Sequence, residues 1–138
     1  MTINPPYSHN GLRDDLTHCT APPLFYAHVE RMIAGSKRTN SHFSLVALTL
    51  SREGSSTDVI DLAHSISISM RREDLCGRLG RFEFVVALAG DLNAGRELSQ
   101  RIEKSSNPQF SAHVVQWRAL ESSLDLFYRL DTLSQSLE

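Results

Sequence analysis

The segment from Arg71 to Val86, Arg-Arg-Glu-Asp-Leu-Cys-Gly-Arg-Leu-Gly-Arg-Phe-Glu-Phe-Val-Val, most constrains what this chain can fold into. Two short apolar runs, Leu75 to Leu79 and Phe82 to Leu88, carry the strand signal on either side of Gly80-Arg81. A glycine at such a junction supplies the positive φ of a tight turn. The segment therefore predicts a β-hairpin over Leu75–Leu88, preceded by a charged shoulder, Arg71 to Asp74. The rest of the chain has to be arranged around that hairpin.

Upstream, Pro22-Pro23 suits the first turn of a helix, and Leu24, Phe25, Ala27, His28, Val29, Met32 and Ile33 recur at helical spacing. Asp14-Asp15-Leu16-Thr17 offers cap chemistry ahead of that helix, which should close near Gly35. Phe43 to Leu50 is dense, apolar and partly β-branched, as expected of a central strand covered on both faces. A polar turn around Gly54 leads to a second helix from Val59 to Met70. Ser-Ile-Ser-Ile-Ser within it also alternates with strand period, but a strand there would leave no crossover to bring the chain back beside the central strand.

After the hairpin, Gly90-Asp91 breaks the chain before a third helix with Leu92, Leu98 and Ile102 on its apolar side and Arg96, Arg101 and Lys104 on its polar side. Phe110 to Trp117 alternates as a further strand, and Leu120 to Leu137 carries the apolar stripe of a closing helix. The order α, β, α, β, β, α, β, α implies one α/β (α+β) unit, a mixed central sheet with surrounding helices. Residues 1–12, with Pro5-Pro6 and Asn10-Gly11, read as a flexible lead-in, which leaves 13–138 as the domain.

At 138 residues, a single domain buries about two-thirds of the surface its unfolded chain exposes, enough for a core. A net charge of −2 gives no global attraction to a nucleic acid polymer or an anionic membrane, so any anion site must be local. Twelve of the fourteen basic residues are arginines, the side chain suited to bidentate contact with phosphate or guanine, although genomic composition bias would give the same count. No run approaches the ~18 apolar residues of a membrane span, and Cys19 and Cys76 form no CxxC pair. The expectation is a cytoplasmic protein with reduced, structural thiols.

Familiar chemistry is missing. The six histidines are scattered, with no HExxH or Cys/His cluster for zinc. No serine sits in GxSxG, and neither a P-loop nor a GxGxxG turn is present.

Arg78-Leu79-Gly80-Arg81-Phe82-Glu83-Phe84 nevertheless resembles the Arg-x-Gly-Gly-Asp/Glu-Glu-Phe hairpin that names the GGDEF domains, the diguanylate cyclase fold that joins two GTP into cyclic di-GMP. Asp14-Asp15-Leu16-Thr17 followed by Phe25 looks like the opening motif of that family at the same spacing. The apolar strand, the Arg-x-x-Asp shoulder and the closing helix come in family order, so the resemblance covers nearly the whole chain from Asp14 onward.

The departures from the family pattern imply that no catalysis is left. The position where active members carry a metal-binding Asp is Thr49, and the third signature letter, an acid that shares Mg²⁺, is Phe82. Neither supplies the carboxylate oxygens that Mg²⁺ against a triphosphate requires. Arg81 replaces the second signature glycine, Ala21 stands where the opening motif has Asn, and roughly ten residues that hold guanine in the family are absent between Thr49 and Val59. The family's terminal lysine motif has no counterpart in Ser134 to Leu137.

Arg71 and Asp74, by contrast, match the family's inhibitory Arg-x-x-Asp, which binds cyclic di-GMP, and Arg101-Ile102 matches a second arginine of that site. An arginine can fork onto guanine N7 and O6 while a carboxylate accepts from guanine N1 and N2 hydrogens. The resemblance thus implies an inactive GGDEF domain serving as a cyclic di-GMP receptor through Arg71, Asp74 and Arg101, with no Mg²⁺ or other cofactor. Its partners would be the nucleotide, a signalling protein and a second copy in a homodimer. The plainer reading of the same residues is an exposed Arg71–Asp74 ion pair of a few tenths of a kcal/mol, and the alternative function is a ligand-independent docking or dimerisation scaffold.

Overall fold

The computed structural model of the protein describes residues 4–135. Four helices and four strands follow in the expected order: α1 Pro22–Thr39, β1 Phe43–Thr49, α2 Ser56–Ser69, β2 Leu75–Gly80, β3 Glu83–Ala89, α3 Leu92–Ser105, β4 Ser111–Gln116 and α4 Ser123–Gln135. Ser65–Ser69 is helical, as the crossover argument requires. The end of the closing helix expected at Leu137 lies outside the described residues.

The sheet order is β2-β3-β1-β4, and every hydrogen-bonded pair of strands is antiparallel, which corrects the expectation of a mixed sheet. The α2 crossover does set β1 and β2 in the same direction. The hairpin then folds β3 back between them, so neither keeps a parallel neighbour. Among the described residues the single parallel contact outside the strands is the bridge from Thr20 to Gly77.

Because β1 lies between two neighbours and under helices on both faces, its central residues, Leu45 to Leu48, are apolar on both faces, with Ser44 and Thr49 towards its ends. Val46 and Leu48 face one core with Leu62 and Ile66 of α2 and Leu98 and Ile102 of α3. Leu45 and Ala47 face another with Phe25 and Val29 of α1 and Leu126 and Leu130 of α4.

Several local details differ from the sequence expectation. Helix α1 runs past Gly35 to Thr39, where Asn40 takes the left-handed C-cap at φ 54°, a conformation that asparagine tolerates. Its N-cap, Ala21, makes no side-chain bond; Asp14 is engaged elsewhere. Helix α2 starts with a capping box, Ser55 Oγ accepting from Asp58 N–H and Asp58 Oδ2 accepting from Ser55 N–H.

Gly80 does not have a positive φ; among the described glycines only Gly11 and Gly90 do. The hairpin instead turns with a bulge between Arg78 and Gly80. There a Cβ on Gly80 would stand 3.3 Å from the Cβ of Glu83, so the glycine serves close cross-strand approach.

The segment read as a loose lead-in is held against the hairpin at Pro5 and Tyr7; residues 1–3 are outside the described part. Pro5 is buried and its carbonyl accepts from Arg81 Nη1. The Tyr7 hydroxyl donates to the Arg78 carbonyl at 3.4 Å, and its ring lies 5.1 Å from the Arg78 guanidinium carbon. Two arginines at the hairpin give this segment polar anchors that its own sequence does not advertise.

Candidate functional site

The hairpin is fixed from below by an arginine inside an apolar strand. Arg78 is 0% exposed, and its Nη1 donates to both oxygens of Asp14 at 3.1 and 3.0 Å, while Nη2 donates to the Arg81 carbonyl at 2.8 Å. Asp14 is 1% exposed, and its Oδ2 also accepts from the N–H and hydroxyl of Thr17, both at 2.8 Å. A buried charge pair with its lone pairs occupied in this way adds little net stability, but removal of one member strands the other. One strand position away, Gly77 admits the Phe25 ring: a Cβ there would come within 2.7 Å of ring atoms. Both contacts join residues of the opening motif to the hairpin.

At the tip of the sheet Thr49 pairs with Glu83 on one side and Ser111 on the other. They border an open groove of about 820 Å³, whose walls also include Ser51, Arg52, Gln109 and Asp131. Burial, with some help from the Asp131 charge, raises the Glu83 carboxyl above its usual range, and burial raises Asp131 as well. Phe82 turns inward and packs against the core under α2 and α3. The groove is mainly polar. Among the described residues no group of three His, Cys, Asp or Glu side chains converges as a metal would need.

Arg71, Asp74 and Arg101 do come together. They border one depression of about 20 Å³ with Leu88, Ala89, Ala94 and Glu97, at the junction of the α2 end, the start of β2 and the middle of α3. Asp74 Oδ2 accepts from the Arg71 backbone N–H at 2.9 Å, which closes the shoulder into a turn. The two ion pairs found among the described residues are Arg78–Asp14 and Arg129–Glu121, so the Arg71 and Asp74 side chains are not tied to each other as an ion pair. Arg101 Nη2 donates to the Ser69 carbonyl at 3.2 Å, at the α2 C-terminus where unpaired carbonyls favour a cation. Partial burial raises the Asp74 carboxyl, opposed by the Arg71 N–H bond and by the nearby Arg71 and Arg101 charges.

Sequence reading located these three residues but not Glu97, which lies four residues before Arg101 on the same helix face, a spacing that was visible in the chain. It also did not pair Asp14 with Arg78. The available signal was a lone arginine in the run Leu-Cys-Gly-Arg-Leu, where an unpaired charge would not be tolerated.

No family model matches the chain, and no curated protein matches it either. Solved structures do. The diguanylate cyclase SiaD of Pseudomonas aeruginosa, solved in complex with its activator SiaC, superposes with a TM-score of 0.80 at 19% identity, over 90% of this chain and 56% of that one. The chain therefore spans little more than half of that cyclase. The GGDEF domain of DgcB from Caulobacter crescentus, solved with c-di-GMP, gives 0.81 at 13% identity over 94% and 91% of the two chains. The GGDEF domain of FimX from P. aeruginosa gives 0.78 at 14% identity over 90% and 91%. The protein has the fold of a GGDEF domain.

Proposed function

We infer that this GGDEF-fold protein is a catalytically inactive receptor for cyclic di-GMP, with Arg71, Asp74 and Arg101 as the ligand-binding residues. The observation that carries the reading is their convergence on one depression with the Asp74 and arginine side chains unpaired with one another. Asp74 would accept from guanine N1 and N2 hydrogens, and Arg71 would fork onto N7 and O6. A depression of about 20 Å³ cannot enclose a base. The nucleotide would lie across it and offer its other face to a second copy or a signalling partner, which makes a ligand-bridged homodimer the expected product.

Loss of catalysis follows from donor chemistry. Mg²⁺ facing a triphosphate takes hard oxygen ligands, and the sheet edge supplies a threonine hydroxyl and one carboxylate, Glu83, with phenyl at position 82. These residues do not fit a two-ion site, so no phosphoryl transfer is assigned. No described helix is long and apolar enough to cross a membrane, and a cytoplasmic setting goes with the nucleotide.

Isothermal titration with cyclic di-GMP tests the receptor. Micromolar or tighter binding is expected in the parent, with loss in Arg71→Ala and Asp74→Ala; no heat in the parent rejects it. Incubation with GTP and Mg²⁺ should yield no cyclic di-GMP.

A second reading, a ligand-independent scaffold, is favoured by one feature. Leu120, Leu124 and Tyr128 are 93%, 78% and 72% exposed, and the last two stand four residues apart on α4, so they share a face of that helix. Partner capture that survives Arg71→Ala but is lost in Leu124→Ser/Tyr128→Ser would select it.

A further inference from the structure

Cys19 and Cys76 meet under the hairpin. The bridge between Thr20 and Gly77 is parallel and is held by Thr20 N–H to the Cys76 carbonyl at 3.0 Å and Arg78 N–H to the Thr20 carbonyl at 3.1 Å. One step back along both segments stand Cys19 and Cys76. Adjacent parallel segments run about 4.8 Å apart, and side chains at matched positions share a face. A disulfide spans Cα separations of about 4.4–6.8 Å. Both side chains contribute to the same core, under α2 and α3.

Their exposure differs in the way a reactive pair requires. Cys76 is buried, whereas Cys19 is half-buried, and both border a groove of about 510 Å³ between the opening loop and α2. The neighbouring Cys76 thiol holds the Cys19 thiol below its usual value, against burial and with help from Thr17, while the Cys19 thiol and burial push Cys76 well up. Cys19 is thus the nucleophile and Cys76 the resolving thiol.

We propose that Cys19 and Cys76 are a peroxide-oxidisable pair whose disulfide staples the opening loop to β2. The Cys19 thiolate attacks one oxygen of hydrogen peroxide, the O–O bond breaks, and the departing hydroxide takes up a proton to become water. Cys19 is left as a sulfenic acid. The Cys76 sulfur then attacks the Cys19 sulfur and gives up its proton, and the sulfenic oxygen leaves as a second water. Two thiols and one peroxide become one disulfide and two waters, with two electrons passing from sulfur to oxygen. The cross-link would close the stretch holding α1, β1 and α2 into a covalent loop, fastening the loop whose Cys19 carbonyl accepts from Asp14 N–H at 2.7 Å.

The test treats the full chain with hydrogen peroxide, alkylates remaining thiols and maps the peptides by mass spectrometry. A linked Cys19–Cys76 peptide, loss of both free thiols and a melting temperature that rises and reverts with dithiothreitol are expected. Cys76→Ser should accumulate sulfenic acid at Cys19, trapped by dimedone, and Cys19→Ser should leave Cys76 unreactive. Cys19 driven to sulfinic acid while Cys76 stays free, disulfides only between chains, or a linked chain that melts no higher than the reduced one would overturn the proposal. Should Cys76→Ser fail to fold, the parent's peptide map decides.

Discussion

Two arginine–aspartate pairs at the same hairpin are held in opposite ways. Arg78 and Asp14 are sealed in the core, joined through both carboxylate oxygens. Arg71 and Asp74 sit nearer the surface, joined by Arg71 N–H to Asp74 Oδ2 and by Asp74 N–H to the Arg71 carbonyl at 3.1 Å, and their side chains form no ion pair with each other. Water accounts for the difference: a buried charge must be matched inside the protein, while an exposed one can wait for a ligand. Identical residue types therefore carry architecture in one place and, in the receptor reading, recognition in the other.

Breaking the buried pair should have the largest effect. Arg78→Ala is expected to cost about 3–5 kcal/mol in urea unfolding, a large fraction of the roughly 5–15 kcal/mol that holds an ordinary domain folded. A loss below about 1 kcal/mol would show that water reaches Asp14. Gly77→Ala should cost about 1–3 kcal/mol by pushing the Phe25 ring out of place; the check is the same unfolding midpoint. At the exposed pair the balance reverses. Arg71→Ala should change stability by no more than about 0.5 kcal/mol yet weaken cyclic di-GMP binding at least tenfold, as read by titration.

Acidification sharpens the contrast further. Asp74 must be ionised to accept from guanine, and its carboxyl is raised, so affinity should begin to fall at a higher pH than an ordinary aspartate would give. Titration across the acid range checks this against Asp74→Asn, whose residual binding should be flat. The smallest effect is at Glu83. Its folded pKa is raised by burial, so the folded state holds the proton more tightly than the unfolded chain, and stability falls as pH rises through the carboxylate range to a lower plateau. Glu83→Gln should unfold at slightly higher urea than the parent at neutral pH, with the gap closing below the ordinary glutamate pKa.

Element order was legible because each helix and strand has a strong period of its own, and the Arg71–Asp74 shoulder was legible because its spacing is local. Contacts between distant segments were not. Nothing near Asp14 announces Arg78, and nothing near Cys19 announces Cys76, since both pairings are made by the return of the chain along β2. The sheet was expected to be mixed because the α2 crossover makes β1 and β2 co-directional, and the insertion of β3 between them is a matter of assembly. Gly80 was assigned a positive φ from its place before a turn, whereas a bulge does the turning. The stop at Gly35 failed because tertiary packing of Ile33 and Ser36 carries α1 through it.

The apolar character of β1 on both faces has a consequence for errors in assembly. In a strand with one wet face, a slip of one residue is punished at once by exposing the hydrophobic set. Here a slip would trade Val46 and Leu48 for Leu45 and Ala47, apolar for apolar, with almost no penalty from water. Proofreading of the register then falls to a few polar marks at the strand ends. Ser44 Oγ donates to the Gly90 carbonyl at 3.0 Å, and Gln116, opposite Ser44 on β4, accepts from the Leu92 N–H at 2.9 Å. The centre of the sheet holds the domain together, and its rim keeps the count.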